Sequence, residues 1–186
     1  MLPAKNPALD NIDWLPAERL GQFSVEPQVR SWLIGKGLLT QRLRAVCGER
    51  YAFRMAEQST ALLNLSEKQF LKTADQAALI RDVEMLCADK VWVFARTLMP
   101  DSTLNAHPWL GELGDSALGE TLNDLTGVER SSYEYAWMPA GQPLADRALR
   151  DRTDAPAGVW ARRSRIALRG APLLVQELFL PGMGGV

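Results

Sequence analysis

An α+β fold built on an antiparallel sheet is the class this sequence predicts. Three observations lead there. Helical periodicity is concentrated in the first third of the chain. Later segments alternate with period two and are joined by connections of only a few residues, as hairpins are. There is no internal repeat and no sign of a second domain. The 186 residues, 47% hydrophobic and 23% charged, fit one globular domain over 1–186 with its own core.

Residues 1–26 read as an N-terminal extension, in which Asp10, Asp13 and Trp14 form a packing segment. Pro27 suits a first helical turn, with Val29, Trp32 and Leu33 on one side and Gly35 and Gly37 as the stop. Thr40 is the expected N-cap of a helix over 41–47 that Gly48 ends. A strand through Tyr51, Phe53 and Met55 follows, and Ser66 with Gln69 forms a weak capping box before another short helix. Strands at 78–87 and 91–99 are joined by Ala88-Asp89-Lys90, short enough for an antiparallel hairpin. Residues 100–119 look like loop, 117–125 like a short helix and 129–137 like a strand. Trp92 and Trp137 read as core. The stretch 139–158, rich in Pro, Asp, Arg and Ala, is predicted to be a mobile loop excursion with a helical turn near 145–150. Strands at 159–169 and 173–180, joined by Gly170-Ala171-Pro172, complete the sheet, and the 182–186 tail is expected to fray.

Composition excludes several functions. Net charge is −1, so nothing advertises a nucleic-acid partner. No apolar run approaches a membrane span, and no signal-like core follows Lys5. A cytoplasmic monomer is expected. Cys47 and Cys87 have no metal or redox spacing, and a disulfide between them is not expected in a reducing compartment. The single histidine, His107, precedes Pro108, which leaves no cluster for zinc and a poor basis for a Ser-His-Asp triad. Neither GxGxxG nor GxxxxGK[ST] occurs. No metal and no cofactor is predicted.

The chemistry lies in charges on apolar strand faces. Glu177 alternates with Leu173, Val175 and Phe179. Arg81 alternates with Leu79, Val83 and Met85, while Asp82 and Glu84 occupy a face that looks wet. Arg96 alternates with Trp92, Phe94 and Leu98. A buried carboxylate is costly unless paired, hydrogen-bonded or protonated. The three charges fit either a buried ion pair, a solvated sheet edge, or a pocket for a small acid that also carries a hydroxyl, gripped by arginine forks between apolar walls. Arg162, Arg163 and Arg165 read mainly as a solvated strand face. Arg162 is the exception, because it shares parity with Trp160, Ser164 and Ile166.

Gly158-Val159-Trp160-Ala161-Arg162-Arg163-Ser164-Arg165-Ile166-Ala167-Leu168, followed by 173–181, resembles the C-terminal signature of the chorismate lyase family. The hairpin with Trp92-Val93-Phe94-Ala95-Arg96-Thr97, Leu113-Gly114-Asp115-Ser116-Ala117-Leu118-Gly119 and Leu38-Leu39-Thr40-Gln41-Arg42-Leu43 are similar to family segments as well. The match runs from about Trp32 to Pro181. It departs in the Asp89-Lys90-Val91 turn, in Leu39, which is methionine in some members, and in the longer 139–157 stretch. The resemblance implies a six-stranded antiparallel sheet, with helices and two flaps closing over a buried site. It implies a lyase that converts chorismate to 4-hydroxybenzoate and pyruvate at the entry to ubiquinone synthesis. It assigns Arg81 to the ring carboxylate, Glu177 to the product hydroxyl, Arg96 as the second arginine of the site, and Leu39 and Leu118 to ligand contacts from the flaps. Whether Glu177 acts as acid or base or only orients the ring stays open. So does a non-catalytic alternative, a sensor or product-carrier domain of the same fold.

Overall fold

The computed structural model describes residues 4–5, 12–154 and 156–183. Strands β1 (Ala4–Lys5), β2 (Leu15–Pro16), β3 (Tyr51–Leu62), β4 (Ala77–Cys87), β5 (Lys90–Pro100), β6 (Val128–Arg130), β7 (Glu134–Pro139), β8 (Gly158–Leu168) and β9 (Ala171–Phe179) form one sheet. Helices α1 (Pro27–Leu33), α2 (Leu39–Cys47), α3 (Leu65–Leu71), α4 (Asp101–Ala106), α5 (Leu118–Asn123) and α6 (Pro143–Leu149) interrupt it. The order is β1-β3-β4-β5-β9-β8-β7-β2, with β6 also on β8. The α+β class is as the sequence predicts, and the six long strands β3-β4-β5-β9-β8-β7 are antiparallel throughout. The strand count is nine rather than six among the described residues, because β1, β2 and β6 add two or three residues each. Segments that short carry no readable alternation.

Two tight turns close the hairpins, and a bulge between Met85 and Leu86 shifts the β4–β5 register by one residue. Ala88 and Asp89 (φ 50° and 63°) link β4 to β5, and Arg169 and Gly170 (φ 48° and 88°) link β8 to β9. Positive φ at both central residues gives a turn whose twist suits a hairpin. The central strands are buried on both faces. On one side, α1 and α2 bring Leu33 and Leu43 onto Val83, Val93 and Ala95. On the other, α6 packs Leu144, Ala148 and Leu149 against Phe94 and Leu178.

The stretch expected to be a mobile excursion is therefore a docked helix. Pro143 stands at the start of α6, and the Gln142 side chain accepts from the Leu144 and Ala145 amides. Arg147 reaches Asp82 and Glu57, and Arg150 donates to Glu84 at 2.5 Å. Asp82 and Glu84, expected on a wet face, are each 1% exposed beneath this lid. Other expectations shift as well. The capping box is Asn64 with Glu67, not Ser66 with Gln69. Thr40 lies inside α2, which starts at Leu39 without a side-chain cap. α4 and a 3-10 turn at Pro108–Glu112 occupy the expected 100–119 loop. The expected 129–137 strand breaks into β6 and β7, and Trp137 is half-exposed instead of core. Met183 is buried, while 184–186 and most of 1–11 lie outside the described residues. No helix among the described residues is long and apolar enough to cross a membrane.

Cys47 and Cys87 are joined as a disulfide, against expectation. They are 40 residues apart, so no motif links them. The C-terminal end of α2 nevertheless sits on the end of β4, and the Cα atoms are 5.5 Å apart, inside the range a disulfide requires. Closing a loop of that length restricts the unfolded chain by about 4 kcal/mol in the chain-entropy model. Reduction with dithiothreitol is accordingly expected to lower the urea midpoint, and Cys47→Ser is expected to match the reduced protein. Identical midpoints with and without reductant would contradict the bond.

Candidate active site

A pocket opens on the sheet face that carries α1 and α2. Its floor is built by β4, β5, β9 and β8, from which Arg81, Glu177 and Arg162 project among Val83, Ala95 and Val175. Its roof is made by two segments, Gly37 to Thr40 entering α2 and Ala117 to Gly119 entering α5. Leu39 and Leu118 line the cavity from these two sides. The segments meet where a Cβ on Gly119 would lie 3.8 Å from the Leu38 side chain. With the roof in place the cavity is small, about 70 Å³.

Register explains why Arg81 and Glu177 share this face. Arg81 lies opposite Thr97 on β5, and Thr97 lies opposite Val175 on β9. Glu177 is two residues further along β9, on the same side of the pleat. Two strand spacings and two residue rises place the two Cα atoms about 12 Å apart in a regular sheet.

Arg81 is 1% exposed and held by the roof: one guanidinium nitrogen donates to the carbonyls of Gly114 and Ser116, at 2.6 and 2.8 Å. Its buried Nε has no hydrogen-bond partner. Burial pulls the guanidinium pKa below its usual value, with Asp115 opposing the shift. A cation with an unsatisfied buried donor is a prepared seat for a carboxylate.

Glu177 lies directly opposite Arg162 on β8, and Arg162 Nε donates to its Oε2 at 2.5 Å. Another Arg162 nitrogen donates to the carbonyls of Trp32, Leu33 and Gly35, at 3.2, 3.0 and 3.1 Å, where α1 ends. The guanidinium also stacks 4.4 Å from the Tyr133 ring centroid. Burial works to lower the Arg162 pKa, but the Glu177 carboxylate more than reverses it, and the net shift is upward. A Cβ at Gly35 would lie 1.7 Å from the Arg42 guanidinium, so that flexible side chain would have to swing away from the carbonyls of Ser31 and Trp32 to which it donates.

Arg96 does not join this group. Its backbone lies opposite Asp82, so its side chain points to the far face of the sheet. There it forms a fork on Asp82, Nε to Oδ1 at 2.8 Å and Nη2 to Oδ2 at 2.9 Å, beneath α6. The expected convergence of Arg81, Arg96 and Glu177 is thus corrected: the second arginine at Glu177 is Arg162. Parity singles out Arg162 in the sequence, but its partner is visible only through the hairpin register. Arg130 and Tyr133, which also line the pocket, carry no sequence signal of their own.

A family model described as chorismate lyase matches residues 8–183, nearly the whole chain. The chain belongs to the chorismate lyase family. A probable chorismate pyruvate-lyase of Nitrosospira multiformis is 33% identical over 173 residues, covering 92% of this chain and 94% of the relative. One from Thiobacillus denitrificans is 37% identical, covering 91% and 89%. A chorismate pyruvate-lyase of Erwinia tasmaniensis is 32% identical, covering 94% and 89%. Among solved structures, the effector domain of PhnF from Mycobacterium smegmatis superposes with a TM-score of 0.56 at 14% identity, covering 81% of this chain and 92% of that domain. The C-terminal domain of the histidine utilization repressor from Pseudomonas syringae pv. tomato also gives 0.56, at 10% identity, covering 71% and 92%. At 10% and 14% identity these likenesses show a shared fold.

Proposed function

We propose that this member of the family is a chorismate lyase, releasing 4-hydroxybenzoate and pyruvate and supplying the aromatic ring for ubiquinone synthesis. The observation that carries the reading is the Arg81–Glu177 arrangement on one apolar floor under two roof segments. Arg81 would hold the ring carboxylate and Glu177 would face the ring hydroxyl. Both side chains line one cavity, from Cα atoms about 12 Å apart on the same sheet face. The ether bond between ring and enolpyruvyl group breaks with its electron pair going to oxygen. The hydroxyl-bearing ring carbon gives up its hydrogen as a proton, the ring becomes aromatic, and the enolpyruvate takes up a proton as it becomes pyruvate. The atoms balance without an oxidant or added water. What the protein must supply is a single bound conformer and charge stabilisation in a site with little water.

The test is direct. Purified protein mixed with chorismate is expected to form pyruvate and 4-hydroxybenzoate in equal amounts. Binding of 4-hydroxybenzoate without any pyruvate formation would instead make the chain a binder, the sensor or carrier of the same fold. Because the roof segments must part for product to leave, added 4-hydroxybenzoate is expected to slow turnover.

A further inference from the structure

Three arginines and one acid line the pocket, and only one of the three cations is matched. Arg162 is paired with Glu177. Arg81 is anchored to backbone carbonyls. Arg130, at the end of β6, donates from one nitrogen to Ser164 Oγ at 2.5 Å and stands 5.7 Å from the Tyr133 ring. No carboxylate among the described residues forms a salt bridge with it. Unlike Arg81, it is exposed, so it stands on the solvent side of the cavity.

Its position follows from the sheet. Arg130 lies opposite Ile166 on β8, on the pocket face. The Ser164 it contacts lies opposite Val175, the residue level with Arg81. Arg130 therefore lies four strand spacings from Arg81, about 20 Å between Cα atoms, with the strand of Glu177 between them, and its guanidinium reaches back to Ser164 on the neighbouring strand. Counted over these side chains, the cavity carries an excess of two positive charges, one at each side. A ligand with a single carboxylate satisfies one of them.

We infer that Arg130, with the Tyr133 ring beside it, is a second carboxylate subsite, and that the pocket is built for a cyclic dicarboxylate whose second acid lies on a side chain. The inference rests on the lyase reading for the substrate's name and adds the residue that tells substrate from aromatic product. Arg81 takes the acid on the ring and Arg130 takes the acid on the enolpyruvyl arm. Cleavage then leaves one carboxylate on each fragment. The pyruvate fragment sits on the exposed cation, and the aromatic fragment stays on the buried one.

The experiment compares Arg130→Ala and Arg130→Lys with the unaltered chain, measuring turnover of chorismate and, separately, equilibrium binding of chorismate and of 4-hydroxybenzoate. Arg130→Ala is expected to raise KM and weaken chorismate binding about tenfold, the size of one charge-assisted contact at a solvent-facing site. It should leave kcat within about twofold and 4-hydroxybenzoate affinity unchanged, and Arg130→Lys should recover part of the loss. A chorismate KM unchanged in Arg130→Ala, with turnover intact, overturns the subsite and leaves the lyase reading standing. Equal weakening of both ligands also overturns it. Preference for chorismate over 4-hydroxybenzoate that depends on Arg130, in a chain that makes no pyruvate, supports the subsite and sinks the lyase reading.

Discussion

Arg81→Ala is expected to lower kcat/KM for chorismate by about 10³ and to abolish measurable affinity for 4-hydroxybenzoate, while the protein remains folded. On the proposed role, Arg81 holds the ring carboxylate through ground and transition state alike, so its loss removes both binding energy and the fixed orientation of the ring, together worth about 10³. Arg81 is buried at the bottom of the site, and its cationic form is already disfavoured by burial. The two roof carbonyls fix the plane of the guanidinium from one side. An incoming carboxylate meets an oriented donor that needs no reorganisation. Arg81→Lys keeps a charge but loses the planar fork, so it should fall between wild type and alanine. A thermal melt run beside the assay separates loss of the donor from loss of the fold. Activity within threefold of wild type in Arg81→Ala, with pyruvate still formed, would remove Arg81 from the site.

How far the site can be read from the chain depends on hairpin turns. The sequence marks Arg81 and Glu177 as charges on apolar faces, and both face the pocket. The same criterion misplaces Arg96, for a physical reason. β5 is buried on both faces from Trp92 to Pro100, so an apolar neighbourhood does not say which face a residue uses. The Ala88-Asp89 bend alone would set Arg81 opposite Arg96, but a bulge between Met85 and Leu86 shifts the register by one residue, so Arg81 falls opposite Thr97 and Arg96 points the other way. In the last hairpin the expected Gly170-Ala171-Pro172 turn sets Glu177 against Arg165. The actual Arg169-Gly170 turn sets it against Arg162. A slip of this kind moves a side chain from partner to stranger. Arginine at φ 48° is unusual, which is why composition points to the wrong bend. α6 is hidden for a different reason. Half of its buried apolar residues are alanine, and its docking depends on Arg147 and Arg150 meeting acids more than 60 residues earlier in the chain. Cys47 and Cys87 are likewise brought together only by packing.

Arg162→Met is expected to cost about 3–5 kcal/mol of stability, the usual consequence of leaving one member of a buried ion pair alone. The side chain is 1% exposed, and two sets of groups depend on it. Glu177 loses its cation, and the carbonyls of Trp32, Leu33 and Gly35 lose the donor that ties the end of α1 to β8. Since Gly37 to Thr40 of the roof follows directly after α1, the roof should loosen as well. Chorismate turnover should therefore fall by more than the unfolded fraction accounts for. The companion variant distinguishes the two causes. In Arg162→Met with Glu177→Leu, the buried charge is gone, so stability should return by about 2 kcal/mol or more while the carbonyls remain unpaired. Urea unfolding of the two single variants and the double variant measures that coupling. A double variant no more stable than Arg162→Met would mean that the ties to α1, not the pairing with Glu177, are what Arg162 contributes. Turnover should stay low in the double variant, because the fold can be relieved of a stranded carboxylate while the reaction still lacks the group we propose to face the ring hydroxyl.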